Sequence, residues 1–459
     1  MTELAGAPPS TPPRGLLAPT LRTLTIGSVA LVSLAAFEAM AVATAMPTAA
    51  AALDGISGYA LAFGLPLATS VVGMVLSGVW SDAHGPAAPM RVGVAAFVIG
   101  LLLASTAPTM AALAAGRAVQ GLGSGLFSVA LYVVVARAVH PALRPRIFAA
   151  FAAAWVLPAV VGPPVAGLLV ETIGWRWVFA LAAVLAVPAA TMVEPALRRL
   201  RADAVDDGPA PDRTSRPARR VLWALLAAVG AAGLHQAGQL DGALAGVVGA
   251  VALVAVALAG PRLLPAGALL ARRGLPAVIA LRGLCAAAFF GAEAFLPLLL
   301  AQQRGLSPTL AGLVLTGAAL SWTAGSWLQG RDRAPSRTTM LRGGTAAIAV
   351  GVLLTGSALV PVVPLAVAVL GWLVAGLGMG MAYPTLSVLL LELSAPAEQG
   401  TNSASLQIAD ALFSAVVLAV SGAVFAALIG SGAVAFAATT AIAAVVAGLA
   451  VLAAGRARA

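Results

Sequence analysis

Residues Gly116–Tyr132, GRAVQGLGSGLFSVALY, and Gly371–Ser387, GWLVAGLGMGMAYPTLS, carry the same GLGxG core in the same frame, and this pairing organises the rest of the chain. The separation of 255 residues recurs without gaps. It relates Glu38 to Glu293, Gly116 to Gly371, Gly121 to Gly376, Gly123 to Gly378, Gly125 to Gly380 and Gly167 to Gly422. Some glycine matches are expected by chance in a chain rich in Ala and Gly. The weight therefore falls on the paired glutamates and the shared GLGxG.

Both stretches lie inside long apolar runs. The chain of 459 residues is 61% hydrophobic and 9% charged, with mean hydropathy +1.01, against roughly 45–50% and about 25% in a soluble domain. Water is not its main solvent. A bilayer crossing takes about 20 apolar residues, and runs of that size fall near 22–46, 57–80, 91–110, 113–138, 146–170 and 175–193. Residues 194–220 interrupt them with Pro, Asp and Arg, and further runs follow at 221–239, 242–260, 275–301, 308–329, 340–360, 362–392, 402–428 and 432–454. The expected organisation is a tail over 1–21, a six-helix bundle over 22–193, a linker over 194–220, an inserted two-helix hairpin over 221–260 and a second six-helix bundle over 275–454. Equivalent points are eight crossings apart, an even number, so the two halves run parallel. The fold class expected is an all-α integral membrane protein of fourteen transmembrane helices, a 6+6 parallel-repeat core with two extra helices between the halves. Parallel repeats about an axis along the membrane normal are a transporter architecture.

The formal charge of +10 does not imply nucleic acid, because the arginines are spread over short loops and form no single basic face. There is no lysine, so arginine alone sets orientation. With both termini cytoplasmic, only Arg176 and Arg304 fall outside and Arg117 and Arg282 within spans, and all other arginines lie on cytoplasmic segments. Trp175 and Trp177 then suit an outer aromatic belt. The first apolar run contains Glu38 and reads as a retained helix, not a cleaved signal. Cys285, the only cysteine, permits neither an internal disulfide nor a cysteine metal cluster. A Walker A loop needs lysine, so the chain has no P-loop to use ATP. His84, His140 and His235 are scattered, and no metal, cofactor or enzymatic chemistry is expected. The Ala, Gly and Arg bias suits a GC-rich bacterial gene.

Three carboxylates fall well inside predicted spans: Glu38, Glu293 and Asp410. Intramembrane acids are costly and mark functional sites. Glu38, in LAAFEAMAVATAMP, is the candidate for binding and releasing a coupling proton. Glu293 holds the repeat-equivalent position. Asp410 stands eight residues into its span, within reach of a water-filled cavity or of the interface. Arg117, early in the fourth span, is expected to pair with a facing carboxylate, and Arg282 to snorkel to the surface. Phe37, Gln120, Trp155, Phe289, Phe290 and Trp322 lie on helices bordering an expected central cavity and are candidates for contact with an apolar ligand.

The chain resembles the major facilitator superfamily, and within it the fourteen-span drug:proton antiporter family. The resemblance rests first on Phe37-Glu38-Ala39-Met40-Ala41-Val42-Ala43-Thr44-Ala45-Met46-Pro47, an acidic residue followed by an apolar run and Ala-x-Pro, with Glu38 where the family usually has Asp. The loop Gly78-Val79-Trp80-Ser81-Asp82-Ala83-His84-Gly85 is similar to the superfamily's cytoplasmic gating signature. Gly78, Asp82 and Gly85 match, while Ala83 and Pro86 stand where basic residues are usual. Arg117-Ala118-Val119-Gln120-Gly121 resembles the fourth-span motif linked to proton transfer. Gly162-Pro163-Pro164-Val165-Ala166-Gly167 resembles the fifth-span antiporter motif, represented here by Gly162, Pro163 and Gly167, and Trp175-Arg176-Trp177-Val178-Phe179 follows it.

The resemblance implies export, of the multidrug-efflux and antibiotic-resistance type, across a bacterial inner membrane. Together with the intramembrane acids it gives the expected function: a proton-coupled antiporter of amphipathic or hydrophobic small molecules, working by alternating access. Its expected partners are a small-molecule substrate, protons and the lipid bilayer, and the chain is expected to be monomeric. An exporter of an endogenous lipid, siderophore or metabolite is the alternative, and a non-transporting membrane scaffold or receptor the third reading.

Overall fold

The computed structural model describes residues 15–19, 21–140, 143–206, 217–240, 242–329, 336–395 and 398–457, and among them every regular element is helical. In chain order these are α1 (Arg22–Ala52), α2 (Leu61–His84), α3 (Ala87–Ser105), α4 (Met110–Ala138), α5 (Arg144–Ala153), α6 (Val156–Thr172), α7 (Arg176–Asp206), α8 (Pro217–Ala237), α9 (Gly242–Leu263), α10 (Leu275–Arg304), α11 (Pro308–Gln329), α12 (Arg337–Thr355), α13 (Leu365–Leu393), α14 (Gln399–Ala427) and α15 (Ala433–Ala453). Eleven helical segments are long and apolar enough to cross a bilayer. With α8, α11 and the α5–α6 pair they make the expected fourteen crossings. We call the end where α1 finishes distal and the end where it starts proximal.

Two departures from the sequence boundaries have local causes. The fifth crossing is two helices, because Pro158 has no N–H to offer the carbonyl of Ala154, and the helix breaks at Ala154–Trp155. The sixth crossing is expected to stop at 193, yet α7 continues to Asp206. Glu194 explains the extension: it accepts from Arg198 one turn on at 3.0 Å and from Arg91 of α3 at 2.8 Å, so polar groups replace apolar burial at that point. Of the expected linker, 207–216 lies outside the described residues.

Inside a bilayer apolar burial gives helices little reason to associate, so close packing through small residues carries the load. The repeated glycines do this identically in both halves. Gly116 of α4 faces Gly100 of α3, and Gly371 of α13 faces Gly351 of α12. Gly123 lies on Gly93, and Gly378 on Gly344. Gly121 and Gly125 admit the α2 backbone, as Gly376 and Gly380 admit that of α11.

The halves meet through α6 with α11, α2 with α14, and α1 with α10 and α11. Three polar contacts across this seam lie towards the distal end. Tyr59 Oη donates to Ala294 O at 2.7 Å, Thr309 N to Glu171 Oε1 at 3.0 Å, and Thr316 Oγ1 to Val160 O at 3.0 Å. Towards the proximal end, no other element among the described residues comes within 4 Å of where a Cβ on Gly78 of α2 would stand.

Candidate functional site

Glu38, seventeenth residue of the long α1, faces α4, and the guanidinium of Arg117 meets it there in a buried ion pair with side chains 9% and 6% exposed. Arg117 also donates to Gln120 Oε1, one turn further along α4, and its Nε to Ala62 O of α2 at 2.9 Å. That carbonyl is available for a local reason: Pro66 has no N–H to complete the bond from residue 66 back to residue 62. The cluster thus joins three helices of the first half. Gln120 is 2% exposed and belongs to the ion-pair cluster.

The second half has its own pair, and here one expectation is corrected. Arg282 does not snorkel. Its Nε donates to both carboxylate oxygens of Asp410, at 2.9 and 3.0 Å, and its Nη1 to Tyr383 O and Ser387 Oγ, each at 3.2 Å. Its guanidinium lies 3.5 Å over the Tyr383 ring, and Tyr383 Oη reaches Asp410 Oδ1 at 3.3 Å. The reason is topological: α10, α13 and α14 converge at this level, so the stem meets partners before it meets solvent. The side chains of Arg282 and Asp410 remain 18% and 23% exposed.

Glu293 stands on α10, 8% exposed, and has no hydrogen-bond or ion-pair partner among the described residues. One turn towards the proximal end begins an aromatic cluster. Phe289 stacks on Trp372 at 4.5 Å between centroids and meets Trp322 edge-on at 5.6 Å, and Trp322 reaches Tyr383 at 5.2 Å. Phe290 lies beside Phe289 and Trp322, at 5.6 and 6.5 Å. The structure therefore brings together Phe289, Phe290 and Trp322, and ties them through Tyr383 to Arg282 and Asp410. Trp372, Tyr383 and Ser387 were not singled out by the sequence. Phe37 lies apart from this cluster, against α6, and Trp155 is 45% exposed at the α5–α6 break. Among the described residues no group of three His, Cys, Asp or Glu side chains is close enough to hold a metal ion.

The sequence profile of the Major Facilitator Superfamily matches residues 29–418. The chain belongs to that superfamily. Two probable multidrug-efflux transporters from strains of Mycobacterium tuberculosis are 27% identical to it over 404 residues, 83% of this chain and 82% of theirs. Multidrug resistance protein 3 of Bacillus subtilis is 29% identical over 154 residues, 34% of this chain and 30% of its own. Among solved structures, a POT family transporter in complex with 5-aminolevulinic acid superposes with TM-score 0.66 at 13% identity over 96% of both chains. An autoinhibited POT family peptide transporter gives 0.66 at 15% identity, over 95% and 97%. Likeness at such identities concerns the fold. This member of the superfamily is a multi-pass membrane transporter and not an enzyme.

The remaining motifs of this superfamily member fall at the seam and at the proximal end. Gly162 leaves room for the Phe37 ring, Pro163 packs against Gly312 of α11, and a Cβ on Gly167 would fall 2.5 Å from the Thr309 Cα. Pro164 frees Val160 O, which accepts the hydroxyl of Thr316 from the other half. The expected antiporter motif is thus the surface on which α6 and α11 close. Glu171, absent from the sequence candidates, caps the N-terminus of α11 at the same seam. Proximally, Asp82 is exposed, and Gly85 turns the chain at φ 78°, a conformation that suits glycine. Where family members carry basic residues this chain has Ala83 and Pro86, and Arg137 of α4 stands over the turn instead, its Nη2 3.5 Å from Ser81 O.

Proposed function

We propose that the protein is a proton-coupled exporter of amphipathic or hydrophobic small molecules, residing in a bacterial inner membrane with both termini cytoplasmic. Residues 22–193 and 275–454 rock against each other, and the distal seam is the outer gate, shut in this conformation. The observation that carries the reading is the buried Glu38–Arg117 pair, with Gln120 and Ala62 O as reserve partners for the guanidinium. When Glu38 takes a proton, Arg117 keeps those two acceptors, so neutralisation does not strand the cation. Loss of the pair removes one of the attachments between α1 and α4, which is how a proton would bias the halves. The multidrug-efflux relatives support small-molecule export, and the aromatic cluster of Phe289, Phe290 and Trp322 supplies apolar surface for a ligand beside Glu293, Arg282 and Asp410.

The test is proton-driven efflux from proteoliposomes carrying Glu38→Gln. The amide cannot cycle a proton, so transport should no longer accelerate when a pH gradient is imposed, while exchange of substrate down its own gradient persists. Unchanged acceleration by the gradient would remove Glu38 from the coupling.

A further inference from the structure

The α8–α9 hairpin has no counterpart in the repeat, and it lies across both halves: α8 packs on α2 and on α14. Its distal tip is fastened on each side. On α14, a Cβ at Gly422 would fall 2.6 Å from His235 Nδ1 and 2.5 Å from the Ala60 Cβ, so His235 fills the recess that Gly422 leaves beside the start of α2. Gly238 rests directly on Ala423 of α14. Towards the first half, Gln239 Nε2 donates to Ser57 O at 2.8 Å in the loop before α2. Residues 235–239 therefore form a strap over the place where α2 and α14 must separate if the distal end is to open.

The imidazole in this strap is chemically anomalous. His235 is 2% exposed, and neither ring nitrogen has a hydrogen-bond partner among the described residues. The cavity beside it measures about 10 Å³, the lower limit for one water, and α2 and α14 line it with Ala60, Leu61, Gly64, Ala415 and Ala419. From α9 come Gly249 and Ala252, packed on the neighbouring turns of α8. No charged side chain faces the ring from α2, α9 or α14 among the described residues. Tyr59, the residue before Ala60, has its hydroxyl committed to Ala294 O on α10. A neutral imidazole with neither nitrogen partnered by a described protein group is already costly, and an imidazolium in the same place far more so. A proton can be taken up only if the ring leaves for water, and the ring cannot leave without withdrawing the strap from Gly422.

We propose that His235 is a proton-binding site, separate from Glu38 and Arg117, whose protonation releases the α8 strap and lets α2 part from α14 at the distal end. The inference rests on the alternating-access reading, and not on the cargo or on Glu38 as coupling group. With the termini cytoplasmic the distal end faces outside, so external acid favours the state open to that side, in which protons are collected.

The experiment uses the full chain in nanodiscs, in a Cys285→Ala background, with spin labels at Ile173→Cys and Val362→Cys. These positions are 55% and 89% exposed at the distal ends of the two halves. Distances are read at about pH 8 and about pH 5.5, on either side of the ordinary histidine range near 6.5. Acidification should raise the open fraction about threefold in the parent and clearly less in His235→Leu or His235→Gln, where Glu38 alone still responds, while Glu38→Gln should retain a response that disappears when His235→Gln is added to it. Gln239→Ala should show a raised open fraction already at the higher pH. The proposal is overturned if the parent ignores acid, if either His235 variant responds like the parent, if Glu38→Gln abolishes the response, or if Gln239→Ala leaves the populations unchanged. A Glu38→Gln protein that still couples transport to protons would defeat the transport mechanism and leave this response standing.

Discussion

The two halves exchange charge for tryptophan at equivalent positions. The first has Glu38, Arg117 and Trp155, and the second, 255 residues on in each case, has Glu293, Trp372 and Asp410. Glu38 therefore has a cation and Glu293 has none among the described residues: the position equivalent to Arg117 is Trp372, whose indole carries no charge and stacks on Phe289. Asp410 finds its cation on α10 instead, in Arg282, whose counterpart in the first half is Gly27 packed tightly on Met192 and Val193 of α7. The glycine seams survive duplication unchanged while the ionic sites do not. A close backbone crossing tolerates no alternative, but a buried charge needs only some partner within reach.

The largest effect should follow from stranding the tighter pair. Arg117→Met leaves Glu38 ionised or forces it neutral among apolar neighbours, which costs about 3–5 kcal/mol. Thermal denaturation in detergent should show a clear drop, with part of it recovered in Glu38→Gln/Arg117→Met, and a full-sized loss in the double variant would mean that the two side chains do not depend on each other. Asp410→Asn should cost less, about 1–3 kcal/mol, since Arg282 keeps Tyr383 O, Ser387 Oγ and access to water. A loss as large as that of Arg117→Met would show that exposure does not separate the two pairs. Glu293→Gln breaks no ion pair, so the melting temperature should stay level or rise. A marked fall would reveal a partner for this carboxylate in another state. Smallest is Thr316→Val, which removes one hydrogen bond across α6 and α11, worth about 1 kcal/mol. Distal spin labels should report a modest gain in the open population, and no gain would mean that this bond does not bias the gate.

Much of this arrangement is legible in the residues. The fourteen crossings follow from apolar run length, and the parallel halves from an even number of crossings between GLGxG copies. The partnership of Arg117 with Glu38 is readable because a cation inside a span favours a facing acid, and Glu38 is the one acid inside the predicted spans of the first half. Arg282 was misread because hydropathy places a residue along the membrane normal and says nothing of its azimuth. Near a helix end, a stem that reaches water and one that meets Asp410 look alike in sequence. Pro66 and Pro164 did carry a signal that composition hides. Each removes a backbone donor and so announces an unpaired carbonyl four residues earlier, at Ala62 and Val160, and both carbonyls are used.

The sequence by itself determined the solvent, the number of crossings, the parallel duplication and which carboxylates and arginines fall inside spans, since each depends only on local composition and spacing. The tertiary structure alone decided which helix faces meet: that Asp410 holds Arg282, that Glu293 has no partner among the described residues, that α6 closes on α11, and that the inserted hairpin fastens both halves beside a buried histidine. Contacts of that kind depend on rotation about helix axes and on crossing points hundreds of residues apart, quantities that no stretch of sequence contains.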